Sequence, residues 1–152
     1  MTAVSKSAFH AACLGYVKQR LAEARAGMAA AQESSNTETK SSAGDKYETG
    51  RAMAQQERDR HAMQFHEAQQ LLAALHKLNP ELPCDAVRPG ALVTTSLGLF
   101  YLSIGAGKLC TAGGKEFLAV SPVAPVVLAL SGRRAGEEVL FNGKLVRISA
   151  VS

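Results

Sequence analysis

Asn79-Pro80-Glu81-Leu82-Pro83 divides this chain into two stretches with different local rules. All five prolines (Pro80, Pro83, Pro89, Pro122 and Pro125) lie in or beyond it, and residues 1–79 have none. The earlier stretch is rich in Ala, Gln, Glu, Lys and Arg, which lose little side-chain freedom in a helix. The later one carries the Val-rich runs and most of the 13 glycines. The expected fold class is α+β, with a helical domain over 1–79 and a strand-rich domain over 84–152.

Working back from the break, Ala54, His61, Phe65, Ala68, Leu72 and Leu75 fall on one helical seam, with Arg58 as a polar break. Further back, Leu14, Val17, Leu21, Ala24, Met28 and Ala31 repeat at alternating steps of three and four. That spacing is the signature of a coiled-coil stripe. Neither stripe would hold a helix in water alone, so the expected solution is a long antiparallel hairpin, seam against seam. About 28 residues per arm at ~1.5 Å each gives a rod of roughly 40 Å.

Residues 33–50, ESSNTETKSSAGDKYETG, form the expected connection and tip. They are polar apart from Tyr47, broken by Gly44 and Gly50, and carry Glu33, Glu38, Asp45 and Glu48 against Lys40 and Lys46. A solvated loop is the plain interpretation. A rod carrying carboxylates at its far end is equally a device for delivering charge elsewhere.

Working forward, Ala91–Ser96 and Leu99–Ile104 read as a tight β-hairpin, and Glu116–Val120 as a third strand. Ser121 is the expected N-cap of a short helix with Pro122 in its first turn, running through Val126–Leu130 and ended by Gly132. Asn142-Gly143 between Glu138–Phe141 and Lys144–Ile148 is a strong hairpin signal. These elements predict a small antiparallel sheet with one short helix on a face.

Composition removes several classes. A hydrophobic fraction of 47% and a charged fraction of 20% argue against wholesale disorder. Seventeen basic against 13 acidic residues leave the chain mildly basic, short of a dedicated DNA binder. Arg88, Lys108, Lys115 and Arg133 interrupt the apolar half, so no membrane span is expected. No export signal is read at the N-terminus. Cys13, Cys84 and Cys110 are odd in number and contain no CxxC pair, which speaks against a disulfide framework or structural zinc and for a reducing cytoplasm.

Familiar catalytic signatures also fail. Gly105-Ala106-Gly107-Lys108 and Gly113-Gly114-Lys115 lack P-loop spacing and the following Ser/Thr, and are expected to be loops. His61, His66 and Glu67 do not make a zinc helix, because Gln70 stands where the second histidine belongs. Cys84 and Cys110 have no Cys–His–Asn context, and there is no GxSxG serine elbow.

Two segments do match a family pattern. Ser121-Pro122, Gly132-Arg133-Arg134 and Gly136-Glu137-Glu138-Val139, within residues 120–150, resemble the C-terminal domain of the Gre-type transcript cleavage factors. Gly44-Asp45-Lys46-Tyr47-Glu48 resembles that family's tip pattern of Gly-Asp, two variable residues and Glu. The resemblance implies a coiled-coil hairpin followed by an FKBP-like sheet domain. It also implies a cytoplasmic accessory factor of RNA polymerase, without enzyme activity of its own. Asp45 and Glu48 would be the tip carboxylates acting in the polymerase site, binding a Mg²⁺ shared with the polymerase, with no cofactor of the chain's own. Arg133, Arg134, Ser121, Pro122 and Tyr47 would meet the partner.

The match is incomplete. Where the family continues with Asn, a variable residue, Glu and Tyr, this chain has Thr49, Gly50, Arg51 and Ala52. Stimulation of RNA cleavage and channel occupancy that inhibits polymerase therefore both stay open, as does a coiled-coil interaction module unrelated to transcription. Lys18, Arg20 and Arg25 either face nascent RNA or are ordinary solvated positions, with Glu23 among them. Tyr47 either stacks on a base or folds back. Arg133 and Arg134 are alternatively a helix-end cation pair. A self-satisfied hairpin seam makes a monomer the expected state.

Overall fold

The computed structural model describes residues 6–39 and 44–152, with side chains over 6–34 and 49–152. Two long helices come first, α1 (Lys6–Thr39) and α2 (Gly44–His76). The polar stretch expected as a connection is therefore helical over 33–39 and 44–50. Its Ser, Thr and Asn residues cost only a few tenths of a kcal/mol each when they extend an existing helix, because the expensive nucleus is already formed. Gly50 adds roughly 1 kcal/mol and is tolerated within α2.

The chain divides into two compact units, one of residues Val17–Leu72 and one of Met1–Tyr16 with Ala73–Ser152. In the helical unit, burial follows the seams. Val17, Ala24, Ala31, Ala54 and Ala68 are buried, while Leu21, Met28, His61, Phe65 and Leu72 are half-buried. Arg58 is exposed. The Arg25 guanidinium lies 5.4 Å from the Phe65 ring centre. A Cβ placed on Gly27 would come within 2.5 Å of His61 Nδ1. Residue 25 thus meets 65 while 27 meets 61, which makes the helices antiparallel. Small seam residues permit this close approach.

The second unit holds one six-stranded sheet: β1 (Leu92–Thr95), β2 (Gly98–Leu102), β3 (Gly107–Cys110), β4 (Glu116–Val120), β5 (Glu138–Phe141) and β6 (Lys144–Val151), in the order β3-β4-β2-β1-β6-β5. The expected all-antiparallel sheet is corrected, because β2 and β4 pair in parallel, Phe100 opposite Leu118. The cause is β3, which falls on Gly107-Lys108, residues expected to be loop. It runs at the sheet edge, and one additional strand reverses the direction of the next. Its four positions are exposed except for half-buried Leu109, so no alternation marks it. Gly113-Gly114-Lys115 is the turn from β3 to β4, closed by Thr111, whose Oγ1 accepts the Lys115 N–H at 3.1 Å.

The hairpin at Asn142-Gly143 forms as its sequence requires, with φ of 50° and 76° and Phe141 opposite Lys144. The short helix α3 (Pro125–Leu130) starts later than expected. Ala124 is its N-cap and Pro125 its first residue, so Ser121 and Pro122 belong to the preceding turn. There Ser121 Oγ accepts the Val123 N–H at 3.3 Å and its carbonyl accepts the Ala124 N–H at 3.0 Å. Proline at the first helical position forfeits no bond, whereas an earlier start would have put Pro125 within the helix.

Strand alternation gives the sheet two buried faces. Val93, Phe100, Leu102, Val146 and Ile148 pack with Val87, Val127 and Leu130 beneath α3. Tyr101, Ser103 and Phe117 meet the first turns of α1, through His10, Cys13 and Phe9 respectively. The sheet is thus a middle layer, with α3 on one side and residues 6–16 on the other.

Candidate functional site

Asp45, Tyr47 and Glu48 lie in the first turns of α2, where the chain has just left α1. Their side chains lie outside the described residues. Downstream, Ser34, Gly50, Met53, Ala54, Glu57 and Arg60 line an open groove of about 500 Å³. Arg60 and Glu57, one turn apart on α2, pair at 3.2 Å on its lining, with both side chains more than half exposed. Such a pair contributes at most about 1 kcal/mol.

The second expected region is the loop after α3. Gly132 adopts φ of 78° and ends the helix, and its N–H donates to the Val87 carbonyl at 2.9 Å. The Val87 N–H donates to the Arg133 carbonyl at 2.8 Å. The Gly136 N–H reaches the Ile148 carbonyl at 2.7 Å, and Ile148 returns the bond to Glu137 at 2.9 Å. The loop backbone is therefore stitched to the segment before β1 and to β6, leaving the guanidiniums outward.

Arg133 and Arg134 are exposed, but neither stands as a bare cation. Arg133 is 3.9 Å from Glu137, and Arg134 is 3.7 Å from Asp85. Glu137 also accepts the Arg134 backbone N–H through Oε2. Glu137 and Asp85 thus complete a mixed-charge surface rather than a basic one. Ser121 and Pro122 are half-buried at the opposite end of α3, separated from the arginines by the helix, about 9 Å long. They shape the turn that aims the helix.

Lys18, Arg20 and Arg25 are all exposed, and Glu23 accepts from Gln19 at 2.9 Å. Arg25 is committed to the face of Phe65, so part of that basic set serves the hairpin seam.

Sequence reasoning missed two buried polar groupings in the sheet unit. His10 Nδ1 and Tyr101 OH share a hydrogen bond of 2.8 Å. Burial lowers the His10 pKa from its ordinary value, with a further push from His76. Burial also raises the Tyr101 phenol strongly, and raises Cys13 against the opposing bond from Ser103. The second grouping joins Lys6 to the segment before β1. Lys6 Nζ donates to the carbonyls of Leu82 and Gly90, the latter at 3.1 Å, and sits 3.6 Å from Cys84 Sγ. Arg88 Nε donates to the same sulfur at 3.3 Å. The available signal was the spacing Phe9, Cys13, Val17, which continues the α1 stripe toward its start.

Among the described residues, no three His, Cys, Asp or Glu side chains gather as a metal cage, and no helix is long and apolar enough to cross a membrane. No protein-family model matches the chain, and no curated protein matches it. Among solved structures the chain is similar to that of the transcription factor Gfh1, at 18% identity and a TM-score of 0.37, covering 92% of this chain and 93% of that one.

Proposed function

We propose that this chain is a Gre-like accessory factor that enters the secondary channel of RNA polymerase and places Asp45 and Glu48 beside its Mg²⁺ centre. The observation that carries this is the position of the family-like Gly44–Glu48 segment. It opens α2 immediately after the chain reverses between two antiparallel helices. It therefore occupies the end of the helical unit away from residues 17 and 72, about 23 helical residues or some 35 Å along α1.

The chemistry suits such a role. Mg²⁺ takes hard oxygen donors, keeps several waters and needs few protein ligands, so two carboxylates on one helical turn can supplement a site they do not own. In a two-metal centre the second ion stabilises attacking and leaving oxygens together. The chain would supply charge and position, the polymerase the reaction, and hydrolysis of backtracked RNA would follow. The sheet unit, FKBP-like by resemblance, would hold the polymerase through both ends of α3, with Ser121 and Pro122 at one and Arg133 and Arg134 at the other.

A second version is favoured by a specific departure. Thr49, Gly50, Arg51 and Ala52 replace the family's second acid and aromatic, and Arg51 reverses the charge there. Channel occupancy would then inhibit rather than stimulate. Adding the protein to arrested elongation complexes separates the two. Stimulation predicts shortened RNA that disappears with the Asp45→Ala, Glu48→Ala double variant while polymerase capture persists. Inhibition predicts slowed extension with no shortened RNA. Failure to capture core polymerase leaves the interaction-module alternative and removes both.

A further inference from the structure

Cys84 is 7% exposed, yet it lines a cleft of about 230 Å³ with Lys77, Leu78, Asn79, Arg88 and Gly90. Its sulfur is contacted from two directions, by Lys6 Nζ at 3.6 Å and Arg88 Nε at 3.3 Å. Lys6 is itself 94% buried and is drawn inward by two backbone carbonyls, an unusual place for a lysine. The two residues lie 78 positions apart, so only folding brings this amine and thiol together.

A small, uncharged oxidant fits such a cleft. The cations beside the sulfur stabilise the negative charge that develops on the departing oxygen when a peroxide is attacked. Of the two nitrogens in contact, guanidinium is a poor nucleophile, whereas a lysine amine is a good one. The Lys6 stem is flexible enough to close the remaining gap.

We propose that Lys6 and Cys84 form a peroxide-responsive covalent clasp. Cys84 Sγ attacks one oxygen of hydrogen peroxide. The S–O bond forms and the O–O bond breaks, sulfur loses two electrons to the peroxide, and the leaving hydroxide takes the thiol proton to become water. The Lys6 ammonium then gives one proton to solvent, and the free amine attacks the sulfenic sulfur. The S–N bond forms, the S–O bond breaks, and the hydroxyl leaves as water with a second proton from the nitrogen. The product is a sulfenamide, which added thiol reduces back to the free pair. It would tie the start of α1 to the segment leading into β1.

The test uses the full chain carrying Cys110→Ser, which removes the exposed thiol on the sheet edge. After brief hydrogen peroxide treatment, digestion and mass spectrometry should find one linked peptide pair joining Lys6 to Cys84. It should be two hydrogens lighter than the sum of its parts and lost on adding dithiothreitol. Lys6→Arg should abolish the link and leave Cys84 open to dimedone. Dimedone capture of Cys84 in the unsubstituted Lys6 background without any link, or oxidation that spares Cys84, would overturn the proposal. The principal measurement needs no change at Lys6 or Cys84, so it stands even if those variants fold poorly.

Discussion

The two units bury their seams with different material. Among the described residues between 17 and 72 the buried side chains are Val17 and four alanines, with larger groups such as Phe65 and Leu72 only half covered. The sheet unit encloses Tyr101, Leu102, Ile104, Phe100, Leu130 and Ile148 with almost no exposure. A fully buried large apolar side chain contributes about 1.5–3 kcal/mol and a methyl about 0.8 kcal/mol. The difference teaches that the helical unit depends on helix propensity and close approach, whereas the sheet unit depends on volume.

The largest effect that probes this contrast is Phe100→Ala. It removes a ring from the face beneath α3 and should cost about 3–5 kcal/mol in denaturant unfolding. Ala68→Gly on the helical seam should cost only about 1 kcal/mol by the same measurement. Equal losses would erase the distinction between the units.

A smaller effect is the pH response of the sheet unit. His10 has a folded pKa below its ordinary 6.5, first through burial and then through His76. The unfolded chain therefore binds the proton more readily, and stability rises with pH across that window. It should be full above about 6.5 and be lost as pH falls through the lower folded value. The facing groups are Tyr101, Cys13 and His76. In His10→Gln, melting temperature against pH should lose part of this acid-side slope, and an unchanged slope would place the proton elsewhere.

The smallest effect is also the most specific. Gly27→Ala should gain about 1 kcal/mol from helix propensity, but its methyl would strike the His61 ring. Alone the substitution should therefore be near neutral or harmful, whereas in a His61→Ala background it should raise the helical melting temperature. Stabilisation by Gly27→Ala without that second change would mean the helices are not closely apposed at this point.

Features governed by local rules could be read directly. Asn142-Gly143 dictated its turn, Glu116–Val120 its strand, and the alternating three-four steps of α1 and α2 marked the residues that lose exposure. What escaped depended on partners far along the chain. Gly107–Cys110 becomes a strand only because Glu116–Val120 returns beside it, and the parallel pairing of β2 and β4 follows from that. Ser121 looked like a cap because serine often caps helices, but Pro125 moved the start downstream. At the candidate site the arginines and the Gly136–Val139 motif that holds Glu137 were legible, while Asp85 carried no motif and no spacing rule pairs either acid with its arginine. No spacing rule connects Lys6 to Cys84.

The layer that residues 6–16 form over Tyr101, Ser103 and Phe117 has a temporal side. These residues precede the strands they cover, and His10 lies 91 positions ahead of its phenol. Contacts so distant in sequence form slowly, because a long loop must close before they repay its entropy. A fragment beginning at residue 84 would be born with that face of the sheet bare. The first turns of α1 thus close over the sheet only after the strands that follow them have assembled.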